Sequence, residues 1–336
     1  MSHFGACILD PAGPHLTQDE RRFFAAADPF GFILFARNVE SPAQLAALCA
    51  ELRACVGREA PILIDQEGGR VARLCPPHWR TWPAPLDHVA AAGPRAEEAM
   101  YLRYRLIAAE LRACGIDTNC APLTDVASAA THAFLKNRCY GTDPGAVARI
   151  GRAVARGLLA GGVLPVLKHI PGHGRATVDS HLALPVAEAP REALRAVDFA
   201  PFAALADLPM AMTAHVVYPA FDDRPATLSP VMMGLIRDEI GFGGLIMTDD
   251  IGMNALAGEP AQTAREALAA GCDAVLFCNG TADEKRAVAE AAGRFSAAAQ
   301  ARAERALTAR KAPDAVDIPA LAARLETLTD GRGDDD

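Results

Sequence analysis

The chain has 336 residues, of which 51% are hydrophobic, and its 33 basic and 41 acidic residues give a formal net charge of −8. This hydrophobic share can fill a large core, and the length suits one α/β barrel, a fold that typically occupies about 250 residues or more. The acidic balance argues against a surface that binds nucleic acid.

Three features bear on the compartment. The N-terminal segment turns polar and is interrupted by Pro11 and Pro14, so we expect no signal peptide. No run of about 18 apolar residues occurs, which predicts no membrane span. The nine cysteines are an odd number and form no CxxC pair. Reduced, buried thiols in a cytoplasmic protein fit this usage best.

Short apolar runs alternate with longer amphipathic segments along the chain. Most of these runs are apolar throughout their middle, as expected of strands that are covered on both faces. The fourth run, which contains Asp117, Thr118 and Asn119, is the least apolar. The predicted strands are residues 6–9, 31–35, 61–65, 116–121, 164–169, 210–215, 244–248 and 273–278.

The segments between the runs carry helix signals. Residues 41–44 (SPAQ) predict a capping box with proline at the first helical position. Asp143-Pro144 and Ser229-Pro230 repeat the pattern of a cap followed by proline. Glycines stand where helices should end before the next strand, at Gly115, Gly161, Gly162 and Gly271.

Eight β-then-α units predict an α/β fold with a single (β/α)8 TIM-type barrel over residues 1–330. An open doubly wound sheet is the alternative, but it normally has a glycine-rich phosphate turn after the first strand, and residues 10–14 (DPAGP) are not one. From about Ala282 the pattern predicts two or three helices packed on the barrel. Residues 331–336 (GRGDDD) predict a disordered tail.

Polar residues collect where four of the apolar runs end. In a barrel the chemistry lies at the carboxyl ends of the strands. Any one such residue could be a structural ion pair or a helix cap, but four runs ending this way indicate a functional rim, because buried charge is costly without a partner. The residues that follow these runs are Asp65, Lys168, His169, His215, Asp249 and Asp250.

Two groups on this rim suit catalysis. Asp249 follows an apolar run directly, so it is either a helix cap, for which Asp250 would serve equally, or a carboxylate nucleophile. Asp179 and His181 lie in a loop after the fifth run, where the carboxylate could orient the imidazole and raise its pKa for general acid/base work. A surface loop with incidental histidines is the alternative.

A metal site is a further possibility for the histidines on this rim. No HxH pair ends a strand and no HExxH motif occurs, so the spacings typical of zinc ligands are missing. We therefore expect no catalytic metal and no cofactor. The residues considered as ligands are His169, His173, His181, His215 and Asp179.

Four segments between about Gly31 and Cys278 resemble glycoside hydrolase family 3, and within it the bacterial β-N-acetylhexosaminidases of peptidoglycan recycling. They are similar to the family's nucleophile signature, its KHFPGHG…DSH loop, its DQEGGRVxR segment and its NRSFG-like segment. In this chain they are residues 235–249 (LIRDE and GLIMTD, separated by the four residues 240–243), 168–181 (KHIPGHG and DSH), 65–73 (DQEGGRVAR) and 137–141 (NRCYG).

The resemblance implies a role for each matching residue. It selects Asp249 over Asp250 as the nucleophile, and it assigns His181 as the acid/base, assisted by Asp179. The departures are small: Ile170 replaces Phe, and Cys139 and Tyr140 replace Ser and Phe. We expect no counterpart of the second domain that often supplies a Glu acid/base in family 3 glucosidases, so that His181 fills this role. The residues implied to bind sugar are Asp65, Arg73, Arg138, Lys168 and His169.

The resemblance also implies a small-molecule substrate with a non-reducing terminal β-linked N-acetylglucosamine. The leaving group would be 1,6-anhydro-N-acetylmuramic acid, with or without its peptide, and the reaction would be the two-step retaining hydrolysis. A phosphorylase is an alternative, because a neutral histidine does not repel an incoming phosphate. A non-catalytic sugar-binding barrel is another. We expect a monomer, although the sequence does not determine the oligomeric state or the preferred aglycone.

Overall fold

A computed structural model describes residues 3–176, 184–256 and 258–329. Eight parallel strands form a closed barrel, in which β1 pairs with both β2 and the last strand, β10. The predicted (β/α)8 barrel is therefore confirmed, and the open sheet is excluded. The barrel strands are β1 (Gly5–Leu9), β2 (Pro29–Leu34), β3 (Ile62–Ile64), β4 (Thr118–Asn119), β5 (Leu164–Ile170), β6 (Met210–Thr213), β9 (Leu245–Asp250) and β10 (Ala274–Phe277).

All eight predicted strands are present, the least apolar one as the two residues of β4. Most strands are buried along their whole length, which explains their continuous apolar runs. The end of β9 is different, because Asp249 and Asp250 are only half-buried. A small antiparallel hairpin, β7 (Val217–Tyr218) and β8 (Asp222–Pro225), lies between β6 and β9 in the chain.

Helices surround the barrel, and several begin where the sequence predicts. The α-helices are α1 (Gln18–Ala27), α2 (Pro42–Val56), α3 (Pro85–Ala92), α4 (Ala96–Ala113), α5 (Ala133–Lys136), α6 (Pro144–Ala160), α7 (Arg191–Ala193), α8 (Ala200–Ala204), α9 (Pro230–Gly234), α10 (Pro260–Ala270), α11 (Ala282–Ala292), α12 (Ala297–Thr308) and α13 (Ile318–Thr329). Short 3₁₀ turns (Ala36–Asn38, Gly93–Arg95, Ala226–Leu228) and π-helical segments (Leu194–Phe199, Leu235–Glu239) complete the helical structure.

The helix caps agree with the sequence in all but one detail. The side chains of Ser41, Asp143 and Ser229 each accept a hydrogen bond from the first turn of the following helix. The predicted capping box at residues 41–44 is only half formed, because the Gln44 side chain accepts from the backbone N–H of Glu40, at 2.9 Å, instead of from that of Ser41. The hydrogen bond to Gln44 therefore comes from Glu40, one residue earlier in the chain than the capping box predicts.

Two buried aspartates form hydrogen bonds that stabilise the amino end of the barrel. Asp117, just before β4, accepts hydrogen bonds from the Ile62 N–H (2.8 Å) and from Arg310 (2.5 Å). Asp273, just before β10, accepts from the Ile246 N–H (2.9 Å) and from Arg302 (2.8 Å). Each carboxylate thus joins two strands to the chain around α12.

The chain from Ala282 forms α11, α12 and α13, and α13 packs against α3 and α4. The predicted tail at residues 331–336 lies outside the described residues. Within the described ranges, no helix is both long enough and apolar enough to cross a membrane.

Candidate active site

The carboxyl ends of the barrel strands surround a cavity of about 250 Å³. The predicted rim residues Asp65, Lys168, His169 and Asp249 all line it, so they share one mouth of the barrel as expected. His215 lies at the same end but is buried, and its ring contacts Thr227 and the Asp250 carbonyl. The remaining walls include Ile33, Phe35, Arg70, Val71, Arg73, Phe134, Leu135, Arg138, His173, Met212, Asp250, Met253, Leu276, Cys278 and Asn279.

A network of buried charges joins three of the strand-end loops. The Lys168 Nζ lies 2.8 Å from Asp65 Oδ1 and 2.7 Å from Glu67 Oε1. The Glu67 carboxylate also accepts two hydrogen bonds from Arg138, at 2.9 and 2.8 Å. Arg73 approaches the other oxygen of Asp65 at 3.3 Å. Four of the five sugar-binding residues implied by the resemblance are therefore connected, namely Asp65, Arg73, Arg138 and Lys168, with Glu67 as an additional member.

These partners keep Asp65, Glu67 and Lys168 charged. Burial would raise the pKa of Glu67, but Arg138 and Lys168 outweigh it and hold that pKa at about 2. Burial likewise opposes the effect of Lys168 and Arg73 on Asp65, whose pKa still lies well below its usual range. The pKa of Lys168 is raised despite burial, because Asp65 and Glu67 face it. Such a cluster is tolerated in a barrel core only because each charge has a partner.

His169 is oriented by a carboxylate that the sequence analysis did not identify. Asp125 Oδ2 lies 2.8 Å from His169 Nδ1, and Asp125 Oδ1 accepts from the backbone N–H of His173 at 2.6 Å. Burial would raise the pKa of Asp125, but His169 outweighs it and the pKa is lowered. The ionised Asp125 therefore accepts a hydrogen bond from His169 Nδ1–H and leaves His169 Nε2 directed toward Asp249, 3.9 Å from its Oδ2.

His173 lies beside His169, with ring centres 5.5 Å apart. Burial, together with the nearby His169, lowers the pKa of His173 to about 4. His173 is therefore neutral near pH 7, so it adds a polar wall to the cavity without adding charge.

Asp249 and Asp250 are adjacent, but their surroundings differ. Asp249 Oδ1 accepts from the Asp250 N–H at 2.8 Å. Burial would raise the pKa of Asp249, but His169 and His215 outweigh it, so the pKa is lowered and the carboxylate is ionised. Asp250 Oδ1 accepts from the N–H groups of Gly252 (2.9 Å) and Cys278 (3.0 Å), and burial raises the Asp250 pKa to about 6. Asp250 thus joins the loop after β9 to the loop after β10, whereas Asp249 is an ionised carboxylate that lines the cavity.

Asp179 and His181 lie outside the described residues, so their predicted roles stay predictions. The chain that leads to them is anchored beside the cavity. Thr131 Oγ1 donates to the Gly174 carbonyl at 2.5 Å, and the His132 N–H donates to the Ala176 carbonyl at 3.0 Å. Residues 131 and 132 lie just before Phe134 in the chain, and Phe134 lines the cavity.

In the part of the chain that the structure describes, the His, Cys, Asp and Glu side chains form no group of three suited to a metal ion.

Two of the residues in this site were missed for identifiable reasons. Glu67 lies inside the segment DQEGGRVAR but does not end an apolar run, and the turn at Gly68 and Gly69 directs its side chain back into the barrel. The fourth predicted strand ends before Pro122, and Asp125 lies beyond this proline, so Asp125 does not stand at the end of an apolar run. A search extended four residues beyond each predicted strand would have found both.

Comparison with known proteins agrees with this geometry. The model of the glycosyl hydrolase family 3 N-terminal domain matches residues 14–309. A β-hexosaminidase of Pseudomonas aeruginosa is 38% identical over 289 residues, which cover 85% of this chain and 86% of the relative. One of Alkalilimnicola ehrlichii is 40% identical over 285 residues, 82% of this chain and 81% of the relative.

Solved structures of similar proteins agree with these sequence matches. Native NagZ from Neisseria gonorrhoeae superposes with a TM-score of 0.80 at 31% identity, covering 98% of both chains. The same protein in complex with N-trifluoroacetyl-D-glucosamine also gives a TM-score of 0.80. The chain therefore belongs to glycosyl hydrolase family 3. It is a glycosidase, and these relatives confirm the prediction of a hydrolase of the β-hexosaminidase type.

The charge network predicts how stability depends on pH. The folded-state pKa of Glu67, about 2, lies below its ordinary value of 4.5, so the folded protein binds fewer protons there than the unfolded chain. This contribution is complete above about pH 5 and is lost as the pH falls toward 2. Between pH 4 and 3 the Glu67→Gln variant should lose less stability than the wild type, by up to about 1.4 kcal/mol per pH unit.

Urea unfolding midpoints measured from pH 6 to pH 3 would check this. The control is Glu98→Gln at an exposed pair with Arg324, whose slope should match the wild type. Equal slopes for the wild type and Glu67→Gln would show that Glu67 is not held ionised by its neighbours.

Proposed function

We propose that the protein is a retaining β-N-acetylglucosaminidase that releases non-reducing terminal N-acetylglucosamine through a glycosyl-enzyme on Asp249. The observation that carries this is the ionised Asp249 carboxylate on the cavity floor, 3.9 Å from His169 Nε2. The names of the β-hexosaminidase relatives and the amino-sugar analogue in the Neisseria gonorrhoeae complex support the choice of sugar.

In the first step an oxygen of Asp249 attacks the anomeric carbon while the bond to the leaving oxygen breaks. Protonated His181 donates its proton to that oxygen. In the second step neutral His181 takes a proton from water, which attacks the anomeric carbon and releases Asp249. Asp179 stabilises the imidazolium between the steps. These two roles rest on the family resemblance and on the anchored chain that leads to residues 177–183 from the cavity wall.

The buried network supplies the sugar-binding groups. Lys168, Arg138 and Arg73 donate charge-assisted hydrogen bonds to sugar hydroxyls, and Asp65 accepts one. Because their mutual contacts already fix these side chains, little reorganisation is needed when the sugar binds. Asp125 holds His169 Nδ1, which leaves His169 Nε2 facing the sugar.

We further propose that the leaving group is 1,6-anhydro-N-acetylmuramic acid, with or without its peptide, and that the enzyme acts in cell-wall recycling in the cytoplasm as a monomer. The nine free cysteines, seven of them buried, are consistent with a reducing compartment.

Replacing the nucleophile should abolish turnover. Asp249→Asn should lower kcat/KM for p-nitrophenyl N-acetyl-β-glucosaminide by about 10³-fold or more, because no glycosyl-enzyme can form. The control is Asp250→Asn, which keeps one hydrogen-bond acceptor for the loops and should lose about tenfold or less. Circular dichroism checks that both variants fold. Comparable losses in the two variants would contradict the assignment of Asp249.

The His–Asp pair should show a dependence on the leaving group. His181→Ala should slow glycosides with poor leaving groups far more than the activated nitrophenyl glycoside, because only the former need a proton as the bond breaks. Asp179→Ala should show the same trend more weakly. Rates over a series of aglycones measure this. Equal losses on every aglycone would mean that the loop positions substrate instead of transferring protons.

The same assay separates hydrolysis from phosphorolysis. Incubation with and without phosphate should give free N-acetylglucosamine in both cases. Accumulation of the sugar 1-phosphate would instead establish the phosphorylase alternative.

A further inference from the structure

A buried arginine lies directly behind the sugar-binding network. Arg103, on α4, is 0% exposed, and its Nη2 donates to the carbonyls of Glu67 (2.6 Å) and Pro83 (2.8 Å). Its Nε and Nη1 have no hydrogen-bond partner, and no carboxylate within the described ranges lies at ion-pair distance. Besides the two carbonyls, the guanidinium contacts the aromatic rings of Trp82 (5.6 Å) and Tyr104 (5.8 Å). A buried cation without an ion pair is costly, so this side chain has to be explained by what it holds in place.

The guanidinium fixes the turn that follows β3. The Tyr104 hydroxyl donates to the same Glu67 carbonyl, at 3.3 Å. Gly68 has a φ of +107°, and a Cβ at this position would meet Arg103 Nη2 at 2.0 Å. The turn therefore packs directly against the guanidinium, and only glycine fits there.

This turn determines where the Glu67 side chain points. Glu67 is 1% exposed, and its carboxylate binds both Arg138 and Lys168. We propose that Arg103 is a positioning residue: by fixing the main chain of Glu67, it directs the carboxylate that orients Arg138 and Lys168 toward the sugar. The proposal rests on the sugar-binding role proposed for those two cations.

The charges of the site agree with this role. Burial lowers the pKa of Arg103, with smaller opposing contributions from Tyr104, Tyr140 and Glu67, so the guanidinium and the Glu67 carboxylate act on each other electrostatically as well as through the backbone.

The experiment compares Arg103→Met and Arg103→Lys with Arg105→Met. Arg105 is a matched control, because it is a buried arginine on the same helix that donates to a carbonyl, but that carbonyl belongs to Asp314, between α12 and α13. The measurements are kcat and KM for the nitrophenyl glycoside and the inhibition constant of N-acetylglucosamine.

Arg103→Met should raise KM and the inhibition constant by about tenfold or more, with kcat changed less, since the displaced groups bind the sugar ring. Arg103→Lys should restore part of the loss, because an ammonium can still donate to the Glu67 carbonyl. Arg105→Met should leave KM unchanged even if it unfolds at lower urea. Equal KM in Arg103→Met and wild type, or equal increases in Arg103→Met and Arg105→Met, would overturn the proposal.

A second measurement does not depend on the substrate. If the wild type neither binds nor cleaves N-acetylglucosamine derivatives, the proposed function fails, and the role of Arg103 is read from stability instead. Urea midpoints between pH 5 and pH 3 should then fall less steeply in Arg103→Met than in the wild type, because Glu67 would be held less firmly ionised. A slope equal to that of Arg105→Met would overturn the role of Arg103 independently.

Discussion

The Lys168 ammonium, buried between the carboxylates of Asp65 and Glu67, is the interaction on which the site depends. It joins the loop after β3 to the end of β5, and Arg138 adds a third segment through Glu67. Removing Glu67 would leave the buried Arg138 without its ion-pair partner in this network, at a cost of about 3–5 kcal/mol. The network therefore holds its members in one arrangement, which we propose is the one that binds the sugar.

The two ends of the barrel use buried carboxylates differently. At the amino end, Asp117 and Asp273 each bind a backbone N–H and arginines, so their hydrogen-bonding capacity is used within the fold. At the carboxyl end, Asp65 and Asp249 line the cavity. Charge at the amino end stabilises the barrel, whereas charge at the carboxyl end is available to a ligand.

Much of this arrangement could be predicted from local sequence. Strands covered on both faces give continuous apolar runs, so all eight could be located, and Asp65, Lys168 and Asp249 stand out as charges at the ends of such runs. Glu67 and Asp125 lie just beyond such ends, where a wider search would find the residues but not their partners, and Arg103 lies on a helix. Each acts through another residue, and its partner is distant in the chain, as with Arg103 and Glu67, so only the folded structure reveals the contact.

The most direct test of the Asp249 assignment uses a fluorinated N-acetylglucosaminyl inactivator, which forms the glycosyl-enzyme but slows its hydrolysis. After digestion, mass spectrometry should find the sugar on a single peptide that contains Asp249, and Asp249→Asn should not be labelled. A label on a peptide without Asp249 would contradict the assignment. So would the absence of any label together with retained anomeric configuration, which would favour attack by the substrate's own acetamido group.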